Sequence, residues 1–195
     1  MDVKIAGKRR GLHFVFALVV LLLGTVVCSA SSITYNVGRT IGTGSVTGFI
    51  ETDGTLGVLN VGNFLDWSLL LNDGISTFTI VGPLSGNNSV AYVQGADATA
   101  TATLLLFNFS GIDNGILLFQ QGLFSGQHYY CAATQLGTCY QGETVVPVDV
   151  FTSYQNAART GNIVIGTTVP EPGSMLLLGT GLLGAIGAVR RKISL

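Results

Sequence analysis

Alternation with a period of two runs through the middle of the chain. Leu65, Trp67, Leu69 and Leu71 fall on one face of an extended segment, with Asp66, Ser68 and Asn72 on the other. Phe78 and Ile80, then Val90 and Tyr92, keep the same period. Thr99, Thr101 and Thr103 alternate with Ala98, Ala100 and Ala102 and lead into the apolar run Leu104 to Phe109. Turn pairs punctuate these runs at Asp53-Gly54, Asp73-Gly74 and Asn114-Gly115, and such pairs suit type I′ hairpins because both residues tolerate positive φ. Gly42-Thr43-Gly44-Ser45 reads as one more turn, and Gly161 to Val169 as a tether. No segment between residues 31 and 168 carries a helical stripe of useful length. Short strands at close spacing predict an all-β domain, an antiparallel β-sandwich or jelly roll.

The two ends follow different patterns. Leu12 to Val27 is an apolar run broken only by His13, Gly24 and Thr25. Lys4, Lys8, Arg9 and Arg10 precede it, and Cys28, Ser29, Ala30 and Ser31 follow. A basic head, a short apolar core and a small-residue exit describe a secretory signal peptide over residues 1–30. Small residues at the third and first positions before the cut, Cys28 and Ala30, place cleavage by signal peptidase after Ala30. Bulky Val27 ahead of Cys28 argues against a lipoprotein signal.

The C-terminal end reads Val169, Pro170, Glu171, Pro172, then an uncharged segment at 173–189, then Arg190, Arg191 and Lys192. As a helix the segment is about 25 Å long, slightly under a hydrocarbon core of about 30 Å, and terminal basic residues that snorkel cover the difference. It reads as a transmembrane helix whose basic stop stays cytoplasmic. Pro-Glu-Pro, a short hydrophobic segment and a basic cluster, in that order, resemble the PEP-CTERM sorting signal of exported proteins in Gram-negative bacteria. The resemblance implies that a membrane-embedded exosortase cuts near Pro170-Glu171-Pro172. Until that cut the body, residues 31–168, is anchored in the inner membrane, and after it the body is released to the surface or medium. A permanent single-span anchor is the competing reading of the tail. A looser likeness, in Thr52-Asp53-Gly54-Thr55-Leu56-Gly57 and Asp66-Trp67-Ser68-Leu69, is to a recurrent exported type carrying this signal; it implies an all-β domain and no mechanism.

Charge placement narrows the function. Between the two ends stand only Arg39 and Arg159 against eight acids, a formal charge of −6. Nucleic acid needs several phosphate-neutralising cations, so it is not an expected partner. Cys131 and Cys139 remain after signal removal, and a pair in an oxidising compartment reads as a disulfide. The alternative is a metal site with His128, three residues ahead of Cys131, although no fourth ligand is evident. Asp113-Asn114 offers calcium too few placed oxygens. His128-Tyr129-Tyr130 and Tyr140 bracket the cysteine pair, either as a stacking surface for sugars or as packing over the bridge.

No Gly-x-Ser-x-Gly elbow, His-Glu-x-x-His helix or phosphate-binding loop is present, and the scattered carboxylates suggest no designed pair. We therefore expect a non-enzymatic protein without catalytic residues, cofactor or metal. Its expected role is in the cell envelope or extracellular matrix, structural or associated with exopolysaccharide. A carbohydrate-binding β-sandwich module is the alternative, and a secreted hydrolase a third reading.

Overall fold

The computed structural model describes residues 31–122 and 127–168. The predicted signal peptide and the whole sorting tail, with its transmembrane segment, lie outside them. Among the described residues no helix is long and apolar enough to cross a membrane.

The described residues form thirteen strands and one short 3₁₀ turn at Val61–Asn63. They are β1 (Ile33–Ile41), β2 (Gly44–Thr52), β3 (Gly57–Val58), β4 (Phe64–Asn72), β5 (Thr77–Val81), β6 (Val90–Gln94) and β7 (Ala98–Ala100). Then follow β8 (Leu104–Asn108), β9 (Ile116–Gln120), β10 (Tyr129–Ala133), β11 (Gly142–Asp149), β12 (Ser153–Ala157) and β13 (Asn162–Thr168). Every pairing is antiparallel. One sheet has eight strands in the order β3-β7-β8-β13-β1-β2-β4-β5, the other five in the order β12-β11-β10-β9-β6.

The two sheets share one core. Tyr35, Ile50, Trp67, Leu69 and Phe107 from the larger sheet bury with Phe119, Tyr130 and Val145 from the smaller. Phe119 meets Phe64 edge-on at 5.6 Å and lies 5.1 Å from Trp67, ring centre to ring centre. The Trp67 indole N–H, which must find an acceptor when buried, donates to Ser89 Oγ at 2.8 Å.

β10 and β11 are buried on both faces. Tyr130 and Ala132 face the main core, whereas Tyr129, Cys131 and Ala133 join Leu118, Val146 and Cys139 in a second small cluster. The Cys131–Cys139 disulfide, with Cα atoms 6.5 Å apart, draws the intervening loop into that second cluster. A strand covered on both sides loses the apolar-polar alternation, so Tyr-Tyr-Cys-Ala-Ala shows no period of two.

Several expectations are corrected by the pairing. Trp67, Leu69 and Leu71 do enter the core, but Leu65 is exposed and Asp66 buried. A register shift between Glu51 and Thr52 opposite β4 puts Phe64, not Leu65, in the inward place; an extra residue in one strand switches the faces beyond it. The Thr-Ala alternation does not run on into Leu104. It breaks at Thr101–Thr103, where Thr101 Oγ1 accepts from the Leu104 N–H at 2.8 Å and closes a β7–β8 turn.

None of the three expected pairs forms a type I′ turn, which needs positive φ at both central residues. Gly54 and Gly74 have positive φ but Asp53 and Asp73 do not, and Asn114 (φ 51°) is followed by a Gly115 outside that region. Asp53-Gly54 and Asn114-Gly115 lead between strands that are not neighbours. The two-residue hairpin is instead Gly42-Thr43, closed by the Ile41–Gly44 pair. Gly42 at φ +60° takes the first central position alone, the pattern of a type II′ turn.

The expected tether at Gly161 to Val169 is also corrected. Residues 162–168 are β13, seated inside the larger sheet between β8 and β1. Thr168 pairs with Tyr35, and its N–H donates to the Thr103 carbonyl at 3.0 Å. Ordered strand therefore continues to the residue before Val169.

Candidate functional site

The sorting residues Val169, Pro170, Glu171 and Pro172, the basic stop Arg190, Arg191 and Lys192, and the cleavage position Ala30 lie outside the described residues. What the structure does fix is where the body hands over to them. β1 begins at Ile33 and β13 ends at Thr168, on adjacent antiparallel strands. Both chain exits therefore leave from the same end of the larger sheet.

Inside the body, three groups of polar or aromatic side chains stand out. The first is a buried charge cluster. Tyr35, Val37, Arg39 and Ile41 share the inward parity of β1, so Arg39 points at the smaller sheet. It meets Glu143 of β11 with a two-pronged bond, Nε to Oε1 at 2.8 Å and Nη2 to Oε2 at 2.7 Å. Arg159 Nε donates to the same Oε2 at 2.7 Å, while its Nη2 donates to the Thr40 carbonyl at 2.6 Å. The Tyr130 hydroxyl donates to Oε1 at 2.9 Å.

Both cations of residues 31–168 are thus held by one carboxylate that is itself fully buried. Burial pushes Glu143 up, but the hydrogen bonds and charge of Arg39, then the bonds from Arg159 and Tyr130, outweigh it. They hold Glu143 below the usual carboxylate range. Burial, reinforced by Glu143, drives the Tyr130 phenol well above its ordinary range. The shared carboxylate ties β1, β10 and β11 together.

The second group is Asp97, between β6 and β7. Only 6% of it is exposed, and its Oδ2 is buried without a hydrogen-bond partner. Glycine surrounds it: a Cβ placed on Gly111 or Gly115 would collide with its carboxyl group. Burial, then the charge of Asp113, raises the Asp97 pKa. A carboxyl with a raised folded-state pKa costs stability above that pKa and is relieved as pH falls through it. Asp97→Asn is therefore expected to raise the melting temperature at pH 7, with the gain shrinking as the pH is lowered through the Asp97 titration. Thermal melts of both proteins from pH 4 to pH 8 test this; equal melting temperatures at every pH would contradict it.

The third group is aromatic. Tyr140 follows the disulfide directly, and Tyr154 lies on β12, an edge strand. Their rings stack in parallel, 2° apart in plane and 4.8 Å between centres, and both are exposed. Phe151, in the turn before β12, is 93% exposed. The Tyr140 pKa is raised by the Tyr154 hydroxyl beside it.

The bracket of aromatics anticipated around the cysteines thus divides. Tyr129 and Tyr130 are buried, Tyr140 is exposed, and Tyr154, absent from the sequence reading, completes the stack.

The metal alternative is corrected. Cys131 is bonded to Cys139. His128 Nδ1 lies 2.6 Å from the Pro147 carbonyl, which can only accept, and its ring stacks on Phe78 at 3.7 Å. Among the described residues no three His, Cys, Asp or Glu side chains gather as a metal site.

An all-β body whose last strand runs straight into Pro-Glu-Pro, an apolar segment and a basic cluster defines an exported protein with a C-terminal address. Residues 168–192 match the PEP-CTERM protein-sorting motif, which indicates a secreted protein targeted to an exosortase. The motif implies export and passage through the membrane before processing. No curated protein and no solved structure matches the chain.

Proposed function

We propose that this is a non-enzymatic protein of the envelope or extracellular matrix, associated with exopolysaccharide. The signal peptide, cut after Ala30, exports it. The tail then holds it in the inner membrane until exosortase cuts near Pro170-Glu171-Pro172, and the body reaches the surface or the medium. The observation that carries this reading is the sorting motif, set directly after an ordered strand. The body fits a non-enzymatic role, since its most concentrated charge chemistry is spent internally on Glu143.

Deleting the exosortase from the producing bacterium is the test. The protein is expected to move from the surface and medium into the inner-membrane fraction, with its tail retained. Unchanged release would contradict the reading.

The exposed Tyr140–Tyr154 stack favours a second reading, a carbohydrate-binding module. Tyrosine faces bury the apolar face of a sugar ring at low entropic cost. On this reading Tyr154→Ala weakens retention of the protein by the producer's own exopolysaccharide in affinity electrophoresis several-fold, while Tyr92→Ala on the opposite edge strand β6 does not. Equal mobility of wild type and Tyr154→Ala would remove it.

A further inference from the structure

We propose that the end of the domain from which both chain exits leave is a membrane-contacting surface, and that the uncharged loop after β2 rests in the outer interface of the inner membrane while the tail is in place. This rests on the reading of residues 173–189 as the anchor.

The topology defines the end. Ile33 pairs with Thr52, Tyr35 with Ile50 and with Thr168, and the Thr168 N–H reaches Thr103. The start of β1, the end of β2, the β7–β8 turn and the last residue of β13 therefore gather at one end. The hairpins Ile41–Gly44 and Asn72–Thr77 gather at the other, joined by the Ser45–Asn72 pair.

The loop between β2 and β4 leaves and returns at the exit end, and the Asp53 N–H donates to the Asn63 carbonyl at 3.0 Å across its base. From Gly54 to Leu65 it contains no charged residue, in a body whose formal charge is −6. Leu59 is its buried anchor, with its N–H on the Ala98 carbonyl at 2.9 Å, while Leu56 (57%) and Val61 (51%) are left exposed. The acid at its root, Asp53, is turned back into the loop: it accepts from the Thr55 N–H at 2.9 Å and from Asn63 Nδ2 at 3.0 Å.

Chain length selects the occupant. Only Val169 to Pro172 separate β13 from the apolar segment. Four residues span at most about 14 Å, and the headgroup layer takes up about 6 Å of that. An anchored body has too little slack to turn its exit end away from the bilayer. An exposed, uncharged loop with Leu and Val at its surface is the kind of segment an interface accepts.

The test uses the unprocessed full chain, tail included, reconstituted in phosphatidylcholine–phosphatidylglycerol vesicles that carry a headgroup quencher. A fluorophore is attached at Leu56→Cys in one protein and at Ile75→Cys in another. Ile75 is also an exposed aliphatic residue, at 87%, but lies in the hairpin at the opposite end. A third protein carries a long Gly-Ser insertion between Thr168 and Val169 with the label at position 56.

Expected are severalfold stronger quenching at position 56 than at 75, and quenching at 56 that survives the insertion because the loop has its own affinity for the interface. Equal quenching at 56 and 75 in protein that floats with the vesicles would overturn the proposal and leave the anchor standing. Loss of the signal on insertion would also overturn it, by showing that the short tether alone enforces proximity. Failure of the full chain to float with the vesicles would remove the anchor reading and the proposal together.

Discussion

Replacing Pro170-Glu171-Pro172 with three alanines is expected to leave export intact and to abolish release from the inner membrane. On the proposed reading, export depends on residues 1–30 as a signal peptide, which the change does not touch. On the same reading, the apolar segment and the basic stop at Arg190, Arg191 and Lys192 still hold the C-terminus. The two prolines fix their own φ and bias the residue before each toward extended backbone, the form in which a protease binds a peptide as a strand. Alanine, the best helix former, removes that bias toward extended backbone. Because β13 is ordered through Thr168, the motif is the whole of the accessible connection, with no upstream linker to offer a substitute site. Fractionation with a tag inside the body, in an exosortase-bearing host, should find the variant in the membrane at unprocessed size. Release at the wild-type size and rate would show that the motif is not the processing signal.

The second large effect is on stability. Glu143→Gln keeps the shape of the side chain and removes its charge, leaving Arg39 and Arg159 facing each other over a neutral amide. Breaking a buried pair by removing one partner costs about 3–5 kcal/mol. The arginine side chains retain 18% and 27% exposure and recover some hydration, so the loss should be about 3 kcal/mol, the lower end of that range. For a domain of this size that is a fall of about 10 °C in melting temperature.

The sign of the pH dependence follows from the lowered pKa of Glu143. Its contribution is complete above the unfolded carboxylate value of about 4.3 and disappears as pH falls through the depressed folded value. The gap between wild type and Glu143→Gln should therefore be constant from pH 8 to about pH 5 and close under more acidic conditions. Asp53, held low by hydrogen bonds, and Asp73, where burial pushes up but hydrogen bonds outweigh it, are unchanged between the two proteins and cancel in the difference. Melts recorded across this range check both size and sign. A gap that widens toward low pH would mean that Glu143 is not the ionised partner of the two arginines.

Much of the architecture is written in local pattern. Trp67, Leu69 and Leu71 alternate because one face of β4 meets the core, and that is readable from spacing alone. What is not readable depends on partners far along the chain. The shift that turns Phe64 inward and Leu65 outward arises where β4 pairs with β2, and Asp66 is buried by the segment after β5, whose Leu84 N–H donates to it at 3.1 Å; no residue in β4 announces either.

Arg39 does carry a signal in the sequence. It stands at the inward parity of Tyr35, Val37 and Ile41, where a cation requires a buried acid across the core. The acid, Glu143, lies 104 residues away. β10 hides its period because both its faces are covered, one by the larger sheet and one by the disulfide loop. Tyr154 joined Tyr140 only because β12 returns along β11. The sorting motif is the opposite case: its residues are contiguous in sequence, and it is legible without any fold.

The measurement that bears most directly on the central claim, that the body is exported and cut free at both ends, is the intact mass of the mature protein from a native exosortase-bearing host. The expected mass corresponds to a chain that begins at Ser31, ends at or beside Pro170-Glu171-Pro172, and is lighter by two hydrogens for the Cys131–Cys139 bond. A mass that still includes Ser174 to Leu195 would contradict the claim and establish a permanent anchor.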